Sequence, residues 1–367
     1  MNKRLYKEIS RLTIEQNNKP LLDNDYLIYL DECNTDKVYA IIKAPYDSVY
    51  RHKFIRLNFN IPKEYPYKPP IVTFVNYDNV RIHPNFYEDG KCCSTILNSW
   101  PSLESDGIKI EAWSSSMGIE TVLLTFRSFL DNNPYTHEPG NRDDESYTTY
   151  VLYQTWETCL FKYLMYPQPD IFLNYINNYI YKNIEEIFSD IYILKETYPL
   201  GVYFTPCFYI YEYNLNYDII INNMLHILTI VINNMNNTIN KNINSIEQLI
   251  DTTQEPNQEP NQEPNQEPNQ EPNQEPNQEP NQEPNQNNIC NICFDNLQEH
   301  TQNTLILECG HIFHITCIKT HILYNGKLCS LCRSKTNTDE KLINPITNKK
   351  IKINGATYNK LIQENIL

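Results

Sequence analysis

His83-Pro-Asn-Phe-Tyr-Glu-Asp-Gly-Lys-Cys-Cys-Ser-Thr-Ile-Leu97 puts the turn-forming Asn85 eight residues ahead of Cys93, which opens onto a short apolar run. A cysteine can carry an acyl group when its thiolate is accessible, and acyl transfer needs a neutral donor beside the oxygen that gains charge. Asn85 is the candidate donor and Cys93 the candidate carrier. Its neighbour Cys92 reads as a small buried hydrophobe, the common state of a free cysteine. Upstream, Tyr65-Pro-Tyr-Lys-Pro-Pro70 precedes a strand-like Ile71-Val-Thr-Phe-Val75. Proline lacks the amide donor, so this run stops strand pairing and stiffens the loop.

Outward from this stretch the periodicity changes twice. Leu5, Ile9 and Leu12 predict an amphipathic helix over 2–16, with Lys3, Arg4, Lys7 and Arg11 on or near its outer side. From Asp31 to Val75 the pattern is that of strands. Tyr39-Ala-Ile-Ile42 is an apolar run, and Ile55, Leu57 and Phe59 alternate with Arg56, Asn58 and Asn60, which predicts three or four antiparallel strands. Ser114–Ser116 are placed to cap a helix in which Ile119, Val122, Leu123, Phe126, Phe129 and Leu130 keep helical spacing. Two further helices are expected over 180–194 and 217–234.

Tyr65-Pro-x-Lys-Pro-Pro70, His83-Pro-Asn85 and Gly90-x-x-Cys93 occur in an order that resembles the ubiquitin-conjugating (E2) family over residues 1–165. The resemblance implies an α+β fold, with an antiparallel four-stranded sheet and flanking helices. It makes Cys93 the nucleophile, Cys92 the apolar residue before it and Asn85 its partner. The implied partners are ubiquitin, a ubiquitin-activating enzyme (E1) and protein substrates, and the first helix becomes a docking surface for the activating enzyme and RING ligases. Cys93 and Trp113 lie twenty residues apart, farther than in a minimal member. The added Asn98–Ala112 segment, with Glu104, Asp106 and Glu111, is either a tolerated surface loop or one that shapes lysine access. Asn133-Pro-Tyr-Thr-His-Glu-Pro-Gly140 is similar to the tail motif of extended members. There His137 or Glu138 would take the place of the residue that orients the incoming lysine. Tyr150–Leu160 resembles the helix that follows, and residues 166–250 are expected to form a helical extension on the core.

From Gln254 to Asn285, Gln-Glu-Pro-Asn repeats eight times. A proline every fourth residue blocks helix and sheet, and the glutamates repel one another, so 251–289 reads as an extended disordered linker. It would reach ~100 Å as polyproline II and ~35 Å as a coil, enough for an intramolecular contact between the two ends. Beyond it, residues 290–334 read Cys290-x2-Cys293-x15-Cys309-x-His311-x2-His314-x2-Cys317-x11-Cys329-x2-Cys332. Eight such ligands in four close pairs suit two tetrahedral zinc ions, which replace the core that so short a segment cannot build. The spacing resembles the RING-H2 finger. That resemblance assigns Cys290, Cys293, His314 and Cys317 to one zinc, and Cys309, His311, Cys329 and Cys332 to the other. It also makes Ile292 the residue that grips an E2, and Arg333 the linchpin that holds ubiquitin closed over the thioester. Ser330 and His321 depart from the pattern, standing where a proline and a tryptophan are usual. Residues 335–367 form a basic tail. Within it Asn344–Tyr358 is similar to an adaptor motif of large DNA viruses, which implies a viral source and action in a host cell.

The formal charge of −15, without any basic block, argues against nucleic acid as a partner. The first residues, MNKRLYKEIS, lack a signal peptide's apolar core. The densest apolar run, Met224–Ile232, is about half of what a membrane span needs. A soluble protein of the cytoplasm or nucleus, with no membrane partner, is expected. Eleven cysteines in such a chain read as thiols and metal ligands. Six of them lie between 290 and 332, Cys159 and Cys207 read as core, and Cys33 carries no signal. The reading is a ubiquitin-conjugating enzyme that takes ubiquitin as a thioester on Cys93, fused to a RING ligase module. Its rivals are a ubiquitin-binding scaffold, against which Cys93 argues, and an enzyme whose finger only recruits substrates or other E2 enzymes.

Overall fold

The computed structural model describes residues 2–31, 33–99, 102–103, 109–110, 112–252, 288–297, 304–336, 341–343 and 350–352. The carboxylates expected at Glu104, Asp106 and Glu111, nearly all of the repeat linker, and most of the basic tail with its Asn344–Tyr358 motif lie outside the described residues.

Asn2 starts α1 (Lys3–Asn17) by accepting hydrogen bonds from the backbone amides of Arg4 at 2.9 Å and Leu5 at 3.3 Å. Four antiparallel strands follow in sequence order: β1 (Tyr26–Leu30), β2 (Lys37–Lys43), β3 (Phe54–Asn60) and β4 (Ile71–Phe74). Their register aligns Ile28, Ala40, Leu57 and Phe74 across the sheet. This face packs on Leu5, Ile9 and Leu12 of α1 and on Val122 and Phe126 of α2 (Ile119–Ser128), forming a first core around Trp113. The short strands β5 (Ser102–Leu103) and β6 (Lys109–Ile110) pair between β4 and α2.

The other face of the sheet is covered as well. Leu27, Ile41 and Phe54 enter a second core with Trp156, Phe161, Tyr175, Ile180 and Met224. These come from α3 (Glu145–Trp156), which runs through a π turn at Glu157–Phe161 into α4 (Lys162–Met165), and from α5 (Asp170–Thr197) and α6 (Tyr217–Thr252). A strand buried on both sides needs no polar face, which accounts for the unbroken Tyr39–Ile42 run. On this face of β3 Arg56 is buried, with its guanidinium 5.8 Å from the Tyr163 ring and its Nη1 donating to the Tyr77 hydroxyl at 3.1 Å.

Helices α5 and α6 outrun the expected spans. α5 begins ten residues earlier than its pattern indicated, because Phe172, Tyr175 and Ile176 are anchored under the sheet. Between the two helices lies a hairpin that sequence did not reveal, β7 (Gly201–Phe204) and β8 (Glu212–Leu215). Its inward residues Tyr213 and Leu215 join the first core, beside the buried Cys207.

Helix α2 corrects another expectation. It starts at Ile119 with Gly118 as its cap, not at the serine run. The Glu8 carboxylate of α1 accepts from the Ile119 amide, and a Cβ at position 118 would lie 2.0 Å from that carboxylate. A side chain at 118 would therefore push the Glu8 carboxylate off the start of α2. In the C-terminal part, β9 (Thr304–Ile306) and β10 (Ile312–His314) pair and lead into α7 (Ile315–Asn325), around Ile292, Leu297, Leu307, Phe313 and Ile318. Strands β11 (Lys341–Ile343) and β12 (Lys350–Lys352) pair beyond it. Among the described residues no helix is long and apolar enough to cross a membrane.

Candidate active site and metal clusters

The His83–Leu97 stretch leaves β4 and folds back along it. Gly90, at φ +83°, lets the chain reverse: Phe74 N–H donates to Gly90 O at 2.7 Å, and a Cβ on residue 90 would meet that strand's backbone at the same distance. His83 is fully buried, and burial pushes its imidazole well below the usual range, so the ring is neutral. Its Nδ1 accepts from the Asn85 amide at 3.0 Å, and its Nε2 donates to Phe129 O at 3.1 Å. Asn85, oriented in this way, clasps the cysteine segment twice. Cys93 N–H donates to Asn85 O at 2.9 Å, and Asn85 Nδ2 donates to Cys93 O at 2.8 Å.

Cys93 and Asn85 line a cavity of about 260 Å³ together with Pro84, Tyr87, His137 and Glu138. Cys93 is only 2% exposed, so its sulfur is reached through this cavity and not from open solvent. Cys92 points the other way, into the first core, where burial pushes its thiol far up. The two cysteines therefore differ in kind. Tyr87 lines the same cavity, and burial raises its hydroxyl above the ordinary value, with the neighbouring Cys93 the next cause. Glu138 pairs with Arg81 at 3.4 Å, and His137 Nε2 with Asp131 at 2.9 Å. Sequence reasoning passed over Tyr87, although it lies two residues after Asn85 inside the quoted stretch. Arg81 gave no local signal, because its role comes from what packs on it.

The cysteines and histidines of the C-terminal part gather into two groups: Cys290, Cys293, His314 and Cys317; and Cys309, His311, Cys329 and Cys332. Within each group all ligand atoms lie within 4.8 Å of one another. His314 Nδ1 is 3.3 Å from Cys293 Sγ, and His311 Nδ1 is 3.4 Å from Cys309 Sγ, so both rings turn the same nitrogen inward. Three thiols and one imidazole per group, at this separation, fit zinc.

Both Cys-x-x-Cys turns close alike. Phe294 N–H donates to Cys290 O at 2.8 Å and Arg333 N–H to Cys329 O at 3.0 Å, each residue at a positive φ near 60°. Each presents its side chain to the N-terminal domain. The Arg4 guanidinium lies 3.4 Å from the Phe294 ring centre and donates to Ile292 O at 3.0 Å and Asn291 O at 3.3 Å. Arg333 donates to Trp113 O at 3.2 Å. Ile292 itself is buried in the finger's core, with Tyr67 packed against that core. Arg4, expected on or near the outer side of α1, is thus nearly fully buried against the finger. Lys3 and Lys7 keep the expected exposure better and pair with Asp295 at 3.1 and 2.6 Å.

The serines that do not cap α2 face the finger. Ser114 and Ser116 both donate to Ser330 O, and the Ser115 hydroxyl donates to His321 Nδ1 at 2.9 Å. His321 Nε2 donates to Leu328 O at 3.1 Å. Burial, then the nearby Arg333, lowers His321 to about 4, in keeping with this neutral tautomer. Here the missing tryptophan is replaced by a hydrogen-bonded imidazole.

Comparison with known proteins covers both ends of the chain. Residues 4–151 match the family model described as ubiquitin-conjugating enzyme, and residues 288–333 the one described as Ring finger domain. Ubiquitin-conjugating enzyme E2 Z of Homo sapiens is 33% identical over 133 residues, 34% of this chain and 35% of that protein. Its Danio rerio counterpart is 32% identical over 133 residues, 34% of this chain and 38% of that protein. The match thus spans little more than a third of these relatives' length. Ubiquitin-conjugating enzyme E2 of African swine fever virus (strain Badajoz 1971 Vero-adapted) is 32% identical over 154 residues, 41% of this chain and 67% of that protein.

Proposed function

The chain belongs to the ubiquitin-conjugating enzyme family, and from that premise we propose that it accepts ubiquitin on Cys93 and passes it to substrate lysines under the influence of its own finger. The Cys93 thiolate attacks the carbonyl carbon of the ubiquitin C-terminal glycine, held as a thioester on an activating enzyme. The activating enzyme's thiolate leaves. A substrate amine then attacks the same carbonyl carbon, the C–S bond to Cys93 breaks, the amine gives up its proton, and an isopeptide bond remains. The observation that carries this reading is the double clasp between Asn85 and Cys93 at the wall of a cavity large enough for a glycine tail. At rest the clasp orders the loop; turned toward the carbonyl, Asn85 Nδ2 would be the donor to the oxyanion. His137 and Glu138 would meet the incoming amine.

The two ligand groups would each hold one zinc ion, whose bonds crosslink a finger too small to fold on apolar burial alone. The zinc would be structural, held by the three thiols and one imidazole of each group. The finger's contacts with α1, Tyr67 and the serine turn support a cis role: Arg333 would steady the thioester-linked ubiquitin in the attack-ready geometry, an orientation effect.

The test is a charging assay with activating enzyme, ATP and ubiquitin, comparing wild type, Cys92→Ser and Cys93→Ser on a non-reducing gel. A thiol-sensitive adduct lost only in Cys93→Ser is expected. A thiol-sensitive adduct that survives in Cys93→Ser would move the nucleophile elsewhere, a thiol-resistant one would be the oxyester on Ser at the same position, and no adduct with any of the three would leave a binding scaffold.

A further inference from the structure

The turn between β7 and β8 has no part in the chemistry above, yet it is joined through Arg81 to the wall of the cavity. Phe204, Phe208 and Tyr211 are each more than half exposed on this hairpin, and Val202 and Leu200 extend the apolar surface. Contiguous exposed apolar surface of this kind marks an interaction site more often than chance. A continuous stack joins it to the reactive cysteine. Phe208 meets the Tyr209 ring edge-on at 4.9 Å, the Arg81 guanidinium lies 3.9 Å from the Tyr209 ring and 3.8 Å from the Tyr87 ring, and Tyr87 lines the cavity with Cys93. Arg81 is buried between the two tyrosines and also holds Pro84 O at 2.7 Å. The hairpin is firmly seated: Tyr209 bonds the Tyr147 hydroxyl at 3.1 Å, and the Tyr213 hydroxyl donates to Ser146 O at 2.7 Å.

We propose that this hairpin is the docking surface for the acceptor polypeptide and that it favours lysines flanked by apolar residues. The inference rests on the conjugating activity proposed above and names its substrate class. Two observations select the acceptor as the occupant. The finger reaches the conjugating domain through α1, Tyr67 and residues 113–116, whereas the hairpin is held by α3 and Arg81. The donor, steadied by the finger, and the acceptor thus approach Cys93 by different elements. Charge points the same way. In the segments that form the cavity and hairpin Glu88, Asp89, Glu138, Asp143 and Glu212 outnumber Arg81, Lys91 and Arg142, and with Glu138 paired to the buried Arg81 the balance stays acidic, which suits a partner that brings an ammonium group. Apolar anchors beside a lysine would settle on the exposed rings while the amine enters the cavity.

The experiment uses the full chain, wild type and the triple variant Phe204→Ser, Phe208→Ser, Tyr211→Ser. The probe is a short fluorescein-labelled peptide holding one lysine among Leu and Phe residues, with a counterpart in which those are Ser. Anisotropy reads binding to the uncharged protein, and single-turnover discharge of the ubiquitin thioester is followed with each peptide and with free lysine. Wild type should bind the apolar peptide and discharge to it about tenfold faster than to the Ser peptide. The variant should charge normally, discharge to free lysine at the wild-type rate, and lose the tenfold preference. Equal binding and discharge with both peptides in wild type overturns the proposal, even with charging intact. Slower charging or slower discharge to free lysine in the variant overturns it too, by placing the donor on the hairpin. A wild type that binds the apolar peptide but forms no thioester overturns the conjugating activity and, with it, the acceptor role.

Discussion

At the scale of single residues, adjacent cysteines are separated by where the chain turns them. The clasp by Asn85 aims Cys93 at the cavity and leaves Cys92 in the core. Replacing Asn85 by Ala removes the side-chain half of the clasp and with it the proposed oxyanion donor, while the backbone bond from Cys93 N–H to the residue 85 carbonyl can persist. Single-turnover discharge to lysine should fall by about 10²–10³. Charging should persist, and a discharge rate within twofold of wild type would remove Asn85 from the mechanism. Cys92→Ala should leave both steps intact and lower stability by roughly 1 kcal/mol, read from a denaturant midpoint, since it trims a buried side chain by one sulfur. The Asn85–Cys93 pair was legible in the sequence because both sit in one contiguous stretch at fixed spacing. Tyr87 sits in that stretch too, but its importance shows only once its ring is seen against Arg81 and on the wall of the cavity that holds Cys93.

At the scale of elements, α1 serves two partners at once. Glu8 caps α2, and Arg4, 3.5 Å from Glu8, reaches across to the first finger turn. A buried guanidinium bonded to two carbonyls and stacked on Phe294 is worth far more than the exposed lysine pairs with Asp295. Arg4→Ala should therefore weaken finger docking by about 2–3 kcal/mol, and Lys7→Ala by under about 1 kcal/mol. Hydrogen exchange at residues 113–117 of the intact chain reads the difference; equal effects of the two variants would contradict this ranking. A second polar cluster lies between β3 and α5. His52 Nε2 donates to Asp190 at 3.0 Å while its Nδ1 accepts from the Tyr179 hydroxyl at 3.0 Å, the pattern of a neutral ring. Burial, aided by Lys53 and Arg51, pushes His52 down to about 3. Burial also pushes Lys53 down to about 7, although the Trp156 ring 3.8 Å away and Asp190 favour its charge. Both folded values lie below the unfolded ones, so the unfolded chain binds more protons and stability rises with pH, across 3 to 6.5 for His52 and 7 to 10.5 for Lys53. Lys53→Met should flatten the rise of melting temperature between about pH 7 and 9. Identical slopes in the two proteins would show that Lys53 stays charged.

At the scale of the whole molecule, the chain joins a conjugating domain to a finger that rests on it. If the finger acts in cis, linker tethering supplies an effective concentration on the order of 1 mM. Thioester discharge to free lysine should then have a first-order rate constant that does not change on dilution of the charged enzyme. A rate that falls in proportion to concentration would mean that the finger acts on another molecule. If the two clusters hold zinc as proposed, a chelator should unfold the finger and leave the proposed charging of Cys93 unchanged, while discharge to lysine slows. Circular dichroism and the two assays on one sample separate these effects.

Sequence by itself determined what depends on spacing along the chain: the Asn85–Cys93 pair, the inner face of α1, a run of three or four antiparallel strands, and the eight ligands whose intervals suit two metal clusters. These follow from local geometry, where a turn, a helical period or a chelating pair needs only neighbours. Tertiary structure alone decided what depends on surfaces meeting. It buried Arg4 and Arg56, took the serine run from helix capping to the finger, and set Arg81 between Tyr87 and a hairpin more than a hundred residues downstream. An arginine or serine carries the same letter in water or under another element, and the free energy that separates those fates comes from what is packed upon it.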